Sequence, residues 1–159
     1  MTFALLAILS ALLAIGTSGV PVLGGGTVPS AHAADRLEAG CEPPTEVERE
    51  ICYRAAAARS RGEVERAFER NLRTATALDR EWNAFAQAHR IRGSSLAGQL
   101  KASQAAWLSY SQSQCSFEGG TSRGGSGTDI LEAACHYRLN SHRLSELQED
   151  RKLLNRGRH

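Results

Sequence analysis

The chain has 159 residues, a net charge of +2 from 19 Lys and Arg against 17 Asp and Glu, and four cysteines. So small a charge excludes a nucleic-acid partner held by bulk electrostatics. Aromatic residues make up only 6%, so the few large rings are expected to supply much of the core.

Residues Met1 to Leu23 are largely apolar, and Ala31-His32-Ala33 has the small-x-small pattern of a signal-peptidase site. Residues 1–33 therefore read as a signal peptide, leaving a mature chain that starts at Ala34. A membrane anchor is the competing reading, because no Lys or Arg precedes the apolar run. Gly16, Gly19, Pro21 and Gly24 to Gly26 interrupt that run short of the ~20 continuous residues a spanning helix needs. Export to the periplasm or the extracellular space is the expectation, with no stable membrane span once the leader is removed.

Cys41, Cys52, Cys115 and Cys135 are an even set in an exported chain, which predicts two disulfides. Three pairings are possible. The local ones, Cys41 with Cys52 and Cys115 with Cys135, are favoured because each closes one loop and removes about 3 kcal/mol of unfolded-state freedom. There is no CxxC or HxxxH spacing, so neither a metal site nor a cofactor is expected. Glu38-Ala39-Gly40-Cys41 ends like a lipoprotein box, yet Glu38 stands where an aliphatic residue is required. Cys41 is accordingly assigned to a disulfide.

The mature chain reads as helices between Gly and Pro breaks. Thr45 is placed to cap the first, with Glu48 returning a bond to the cap amide, and Ile51, Cys52 and Ala55 face inward. Val64, Phe68, Leu72, Ala75, Leu78, Trp82 and Phe85 then recur at steps of three and four, an amphipathic stripe. Whether Gly62 separates two helices or bends one is left open by the pattern. After a turn at Arg92-Gly93, Ser94 or Ser95 caps a helix with Leu96, Leu100, Trp107 and Tyr110 on one face. Trp107 and Tyr110 are read as core rather than as a binding hot spot. A flexible glycine loop follows from Gly119 to Gly127. Asp129 is the expected cap of the last helix, with Glu132 as its capping-box partner and Leu131, Cys135, Leu139 and Leu147 inside. Residues 34–150 make one domain, and the basic tail 151–159 is expected to fray. The fold class is all-α, a small antiparallel bundle of three to four helices with two disulfides.

No catalytic motif is present: there is no GxSxG, HExxH or phosphate-binding loop. Glycan hydrolysis would need two carboxylates facing one cleft, and a compact bundle is expected to leave none. A non-enzymatic chain without catalytic residues is the expectation.

The stretch Leu100 to Tyr110 contains Leu-x-x-x-Gln-x-x-Trp through Gln104 and Trp107, with Cys115 eight residues beyond the tryptophan. Gly124-Gly125-Ser126, Cys135 and Arg143 followed by Glu146-Leu147 complete a spaced framework. In this the chain resembles the lysozyme-inhibitor LprI-like N-terminal domain family, over roughly Cys41 to Gln148. Ser111 and Gln112 stand where that family usually carries Arg-Asp. The resemblance implies structural roles for Gln104, Trp107, Tyr110, Gly124, Gly125 and Arg143, and inhibition of lysozyme in the bacterial envelope. In such an inhibitor the glycine loop would enter a cleft holding two carboxylates, with Arg123 against them and Ser126 donating hydrogen bonds. The alternative is an envelope interaction module with another partner, using helical faces and the acidic segment from Asp35 to Glu50.

Overall fold

The computed structural model describes residues 40–125 and 127–157. The signal peptide assigned to residues 1–33, and Ser126, lie outside the described residues. Within them the chain folds into three helices: α1 (Glu46–His89), α2 (Leu96–Gly120) and α3 (Gly127–Arg156). No strand occurs among the described residues.

Thr45 caps α1, its hydroxyl oxygen accepting from the Glu48 amide at 3.2 Å. The same hydroxyl donates to the Glu48 carboxylate at 2.7 Å, so the reciprocal bond runs between side chains rather than to the cap amide. The helix then passes through Gly62 without a break. A glycine costs a helix about 1 kcal/mol, too little to interrupt one that packs along its length. At 1.5 Å per residue, α1 is about 66 Å long. It stops at Arg90, which takes a left-handed φ of 56°. The Arg90 and Ile91 amides fold back to the Gln87 and Ala86 carbonyls.

Ser95 caps α2, accepting from the Gly98 amide at 2.9 Å. Asp79 of α1 reinforces it, taking hydrogen bonds from the Ser95 hydroxyl at 2.7 Å, the Leu96 amide at 2.8 Å and the Ala97 amide at 3.0 Å. A carboxylate on α1 thus holds the positive end of α2. The turn between them is close-packed: a Cβ on Gly93 would lie 2.0 Å from the Trp82 indole nitrogen, so only glycine fits there.

Two expectations for α3 need correction. The helix begins at Gly127, so Asp129 lies inside its first turn rather than capping it. There Asp129 pairs with Arg54 of α1 at 3.1 Å, and Glu132 faces His136 at 3.8 Å instead of returning to a cap. At the far end the helix continues to Arg156, past the point where the basic tail was expected to fray. Leu154 is half-buried, and a Cβ on Gly157 would touch Leu78 at 3.8 Å, so this last segment packs along α1.

Sequential helices run antiparallel and α1 runs parallel to α3. The contacts of Cys115 with Cys135 and of Gln104 with Arg143 fix the first relation, those of Arg54 with Asp129 and Asn71 with Leu147 the second. The core is built mainly from small side chains, among them Ala56, Ala67, Ala75 and Ala133, with Tyr53, Val64, Leu139 and Leu147 as its larger members. Both local cysteine pairings form, with Cα separations of 5.6 Å for Cys41–Cys52 and 5.4 Å for Cys115–Cys135. The first ties the N-terminal segment to α1 beside Tyr53 and Ala133, and the second clamps α2 to α3 beside Leu139. Trp107 is half-buried against the cluster of Val64, Ala67 and Leu147. Ile51 and Tyr110, expected inside, are 63% and 55% exposed. Trp82, Phe85 and Leu96 are also exposed. Trp82, Phe85 and Leu96 sit where no helix faces them, and Ile51 and Tyr110 on the outer sides of helices packed through Tyr53 and Trp107.

The Asp79 carboxyl titrates below its ordinary value: partial desolvation acts to raise it, but hydrogen bonds from Ser95, Ala97 and Leu96 outweigh that. A depressed carboxyl stabilises the fold fully above the ordinary value of about 3.9 and ceases to do so as pH falls through its lower folded value. Asp79→Asn should therefore lower stability near neutral pH by about 1 kcal/mol. It should also flatten the acid limb of the stability profile below about pH 4, as read by thermal melts across pH.

Candidate functional site

α1 and α2 meet near Asp79 and Ser95 and separate toward the opposite end of the bundle. The separation leaves a groove of about 430 Å³ with α3 as its floor. Arg54, Arg61 and Val64 form the α1 wall, Trp107, Leu108 and Ser111 the α2 wall, and Ala133, His136 and Asn140 the floor. A cleft therefore exists where none was expected.

Three carboxylates line it, those of Glu65, Asp129 and Glu132. Glu65 pairs with Arg61 at 3.0 Å, Asp129 with Arg54 at 3.1 Å, and Glu132 faces His136 at 3.8 Å. Each acid in the groove thus has its own basic neighbour. Ser111, one of the two departures from the family pattern, is buried with its hydroxyl 3.5 Å from His136 Nδ1. Gln112, the other, is exposed and donates to the Ser116 hydroxyl at 3.2 Å. Among the described residues no three His, Cys, Asp or Glu side chains gather in a way that could hold a metal ion.

Beneath the groove lies a buried polar network. The Arg143 side chain is almost wholly enclosed. It donates to Gln104 Oε1 at 3.1 Å, to the Ser103 hydroxyl at 3.2 Å and to the Glu146 carboxylate at 2.7 Å. Asn140 donates to the Ala57 carbonyl at 3.1 Å and to the Ser60 hydroxyl at 3.0 Å, and Asn71 to the Leu147 carbonyl at 2.6 Å. Gln104 and Arg143 came to notice only through the resemblance; Ser60, Asn71 and Asn140 were missed. Asn71 does fall on the helical stripe between Val64 and Leu78, and a polar residue on an apolar stripe was the available signal.

The loop between α2 and α3 is shorter and better braced than a flexible glycine segment. Gly119 and Gly120 belong to α2, and Gly127 to α3. Gly119 lets the two helices approach: a Cβ there would lie 3.2 Å from both the Thr128 carbonyl and the Glu132 Cβ. The Ser122 hydroxyl donates to the Gly119 carbonyl at 2.9 Å, and the Arg123, Gly125 and Thr128 amides close successive turns onto Gly120, Ser122 and Gly125. Arg123 and Gly124 both take left-handed φ, 52° and 82°. Arg123 stands exposed beyond the end of α2, with Gly125 exposed behind it. This loop and the groove lie toward the same end of the bundle, but Arg123 does not line the groove. Tyr110 projects into solvent.

The family model described as lysozyme inhibitor LprI matches residues 41–147, from the first cysteine to the last core leucine. The chain belongs to the lysozyme inhibitor LprI family. Searches among curated proteins and among solved structures give no match. The match spans both disulfides, the Gln104–Arg143 bond and the braced loop, so what the LprI family shares here is a framework extending over all three helices. The family is described as lysozyme inhibitors.

Replacing Arg143 by Met should cost about 2–3 kcal/mol, because it leaves the Gln104 carbonyl buried without its charged donor. The double replacement Gln104→Leu with Arg143→Met should recover part of that loss, since an apolar pair leaves no stranded polar atom. Urea midpoints of the single and double variants measure the difference.

Proposed function

We propose that this chain is an exported, non-enzymatic binding protein of the bacterial envelope that inhibits lysozyme. Membership of the LprI family across residues 41–147 carries the reading. Two disulfides support a working place outside the cytoplasm, where such bonds persist.

The inhibitory contact is assigned to the loop between α2 and α3. A lysozyme cleft holds two carboxylates, one acting as acid and the other as nucleophile or stabiliser. Arg123 is exposed at the loop and its backbone is already held by turn hydrogen bonds. A pre-formed loop loses little freedom on binding, and an arginine set against carboxylates in a water-poor cleft makes strong charge-assisted hydrogen bonds. Ser126, three residues further along the chain, would add a hydroxyl as a hydrogen-bond donor. Cys115–Cys135 anchors both helices from which the loop emerges.

In a turbidity assay with cell-wall substrate, the oxidised chain should inhibit a lysozyme in the micromolar range or below. Arg123→Glu should weaken inhibition at least about tenfold, the equivalent of roughly 1.4 kcal/mol, without moving the melting temperature. Absence of inhibition against both C-type and G-type enzymes would reject the reading and leave an envelope module with another partner.

A further inference from the structure

We propose that the free end of α1, together with the turn that follows it, docks onto an anionic lipid bilayer. The proposal starts from a mismatch of helix lengths. The end of α3 lies level with Leu78, where Gly157 approaches it, and the start of α2 lies level with Asp79. α1 runs on to His89, and from Glu81 onward only Ala86 is buried. The apolar stripe nevertheless continues: Trp82 and Phe85 are 41% and 47% exposed, and Ile91 and Leu96 of the turn region 45% and 41%. These side chains are held in place, with the Trp82 indole lying over Gly93 and Phe85 stacked on His89 at 4.1 Å between ring centroids.

Charge identifies the occupant. Arg80, Arg90 and Arg92 are exposed around the apolar patch, and Arg151, Lys152 and Arg156 are exposed on the last turns of α3 at the same end. The acids there are Asp79, Glu81, Glu149 and Asp150, of which Asp79 is engaged in capping α2 and Glu149 in pairing with Lys152. The opposite end carries Glu42 just before α1 and Glu46, Glu48 and Glu50 within it, against Arg49 and Arg54, the latter paired with Glu50. The molecule is thus polarised in charge along its length: exposed apolar side chains also occur at the acidic end, as at Val47, Ile51 and Phe117, but at the basic end they stand among exposed arginines. Aromatic and aliphatic side chains ringed by arginine suit the interface of a bilayer with anionic headgroups, where rings enter the headgroup layer and guanidinium groups meet phosphate.

A second copy fits this end less well. Half-exposed aromatic rings offer roughly 100 Å² each, so the patch falls well short of the ~800 Å² per partner typical of a stable interface. Pairing would also bring two basic ends together. Among the described residues no helix is long and apolar enough to cross a membrane, so the contact is peripheral. It also leaves the Arg123 loop near the far end of a helix about 66 Å long, directed away from the bilayer. The inference does not rest on the lysozyme reading.

The chain from Ala34 onward, without the apolar leader, tests it by flotation with vesicles of phosphatidylcholine alone or mixed with phosphatidylglycerol. Binding is expected to the mixed vesicles and not to the neutral ones, with a drop of about tenfold on raising salt to roughly 0.5 M. Trp82→Ser with Phe85→Ser should abolish it. Arg90→Glu with Arg92→Glu, which touches no buried side chain, should weaken it about tenfold while the circular-dichroism melt stays unchanged. Equal binding to neutral vesicles, or binding that survives both variants, would overturn the proposal, because another segment would then carry the attachment. A dimer in sedimentation that dissociates with Trp82→Ser and Phe85→Ser, without vesicle binding, would assign the patch to self-association instead. Lysozyme inhibition by the same variants, measured separately, reports on the loop and not on this end.

Discussion

The helices are aligned by directional polar bonds inside a core too uniform to align them by shape. Alanines at positions 56, 67, 75 and 133 offer similar small profiles to a neighbouring helix, and such surfaces slide with little penalty. Asn140, Arg143 and Asn71 do not slide. Asn140 reaches the Ala57 carbonyl and the Ser60 hydroxyl of α1, Arg143 the Gln104 and Ser103 oxygens of α2, and Asn71 the Leu147 carbonyl of α3. Shifting α3 by one turn, about 5.4 Å, would break these contacts and leave the Arg143 guanidinium with Glu146 of its own helix as its remaining partner. Each buried polar group so stranded costs about 1–3 kcal/mol, more than a repacked alanine seam could return.

Two further clasps act on the frame that this register defines. Cys115–Cys135 fixes α2 to α3 close to the loop, and Asp79 fixes α1 to α2 at the other end. Between them α1 and α2 are free to diverge, and the groove over Ala133 and His136 is the result. The groove is therefore a consequence of where the clasps are placed. Its ion pairs, all at half-exposed or exposed positions, contribute little to stability individually.

Features that depend on neighbours in sequence were legible before the fold was known. The Thr45 and Ser95 caps, the two local disulfides and the helical stripe of α1 follow from spacings of a few residues. Features that depend on a facing element were not. Periodicity places Trp82 and Phe85 on the same face as Val64 and Leu78, but only the lengths of α2 and α3 decide that nothing covers them. Tyr110 fails as a core residue because it lies on the outer side of α2 while Trp107, three residues earlier, turns inward. The tail beyond Asp150 was judged by its charges. Those charges stay in solvent while Leu154 and Gly157 pack along α1. Nor could the glycine loop be recognised as ordered, because Gly119 matters through its contact with Thr128 and Glu132 rather than through its own freedom.

The most consequential of these long-range effects is the separation of the molecule into unlike ends. At one end, disulfide and turn hydrogen bonds hold Arg123 in a left-handed conformation that a non-glycine residue adopts only where its surroundings enforce it. Nearby, the acidic first turn of α1 repels anionic surfaces and leaves that arginine as the cation most directly presented beyond α2. At the other end, aromatic side chains are braced but uncovered, amid exposed arginines. A single uninterrupted helix joins the two, and it stays uninterrupted because Gly62 sits within a stretch packed by Ser60 and Val64 on the buried face. Continuity of α1 sets the distance between that surface and the loop, while the shorter reach of α2 and α3, which end level with Asp79 and Leu78, leaves it uncovered.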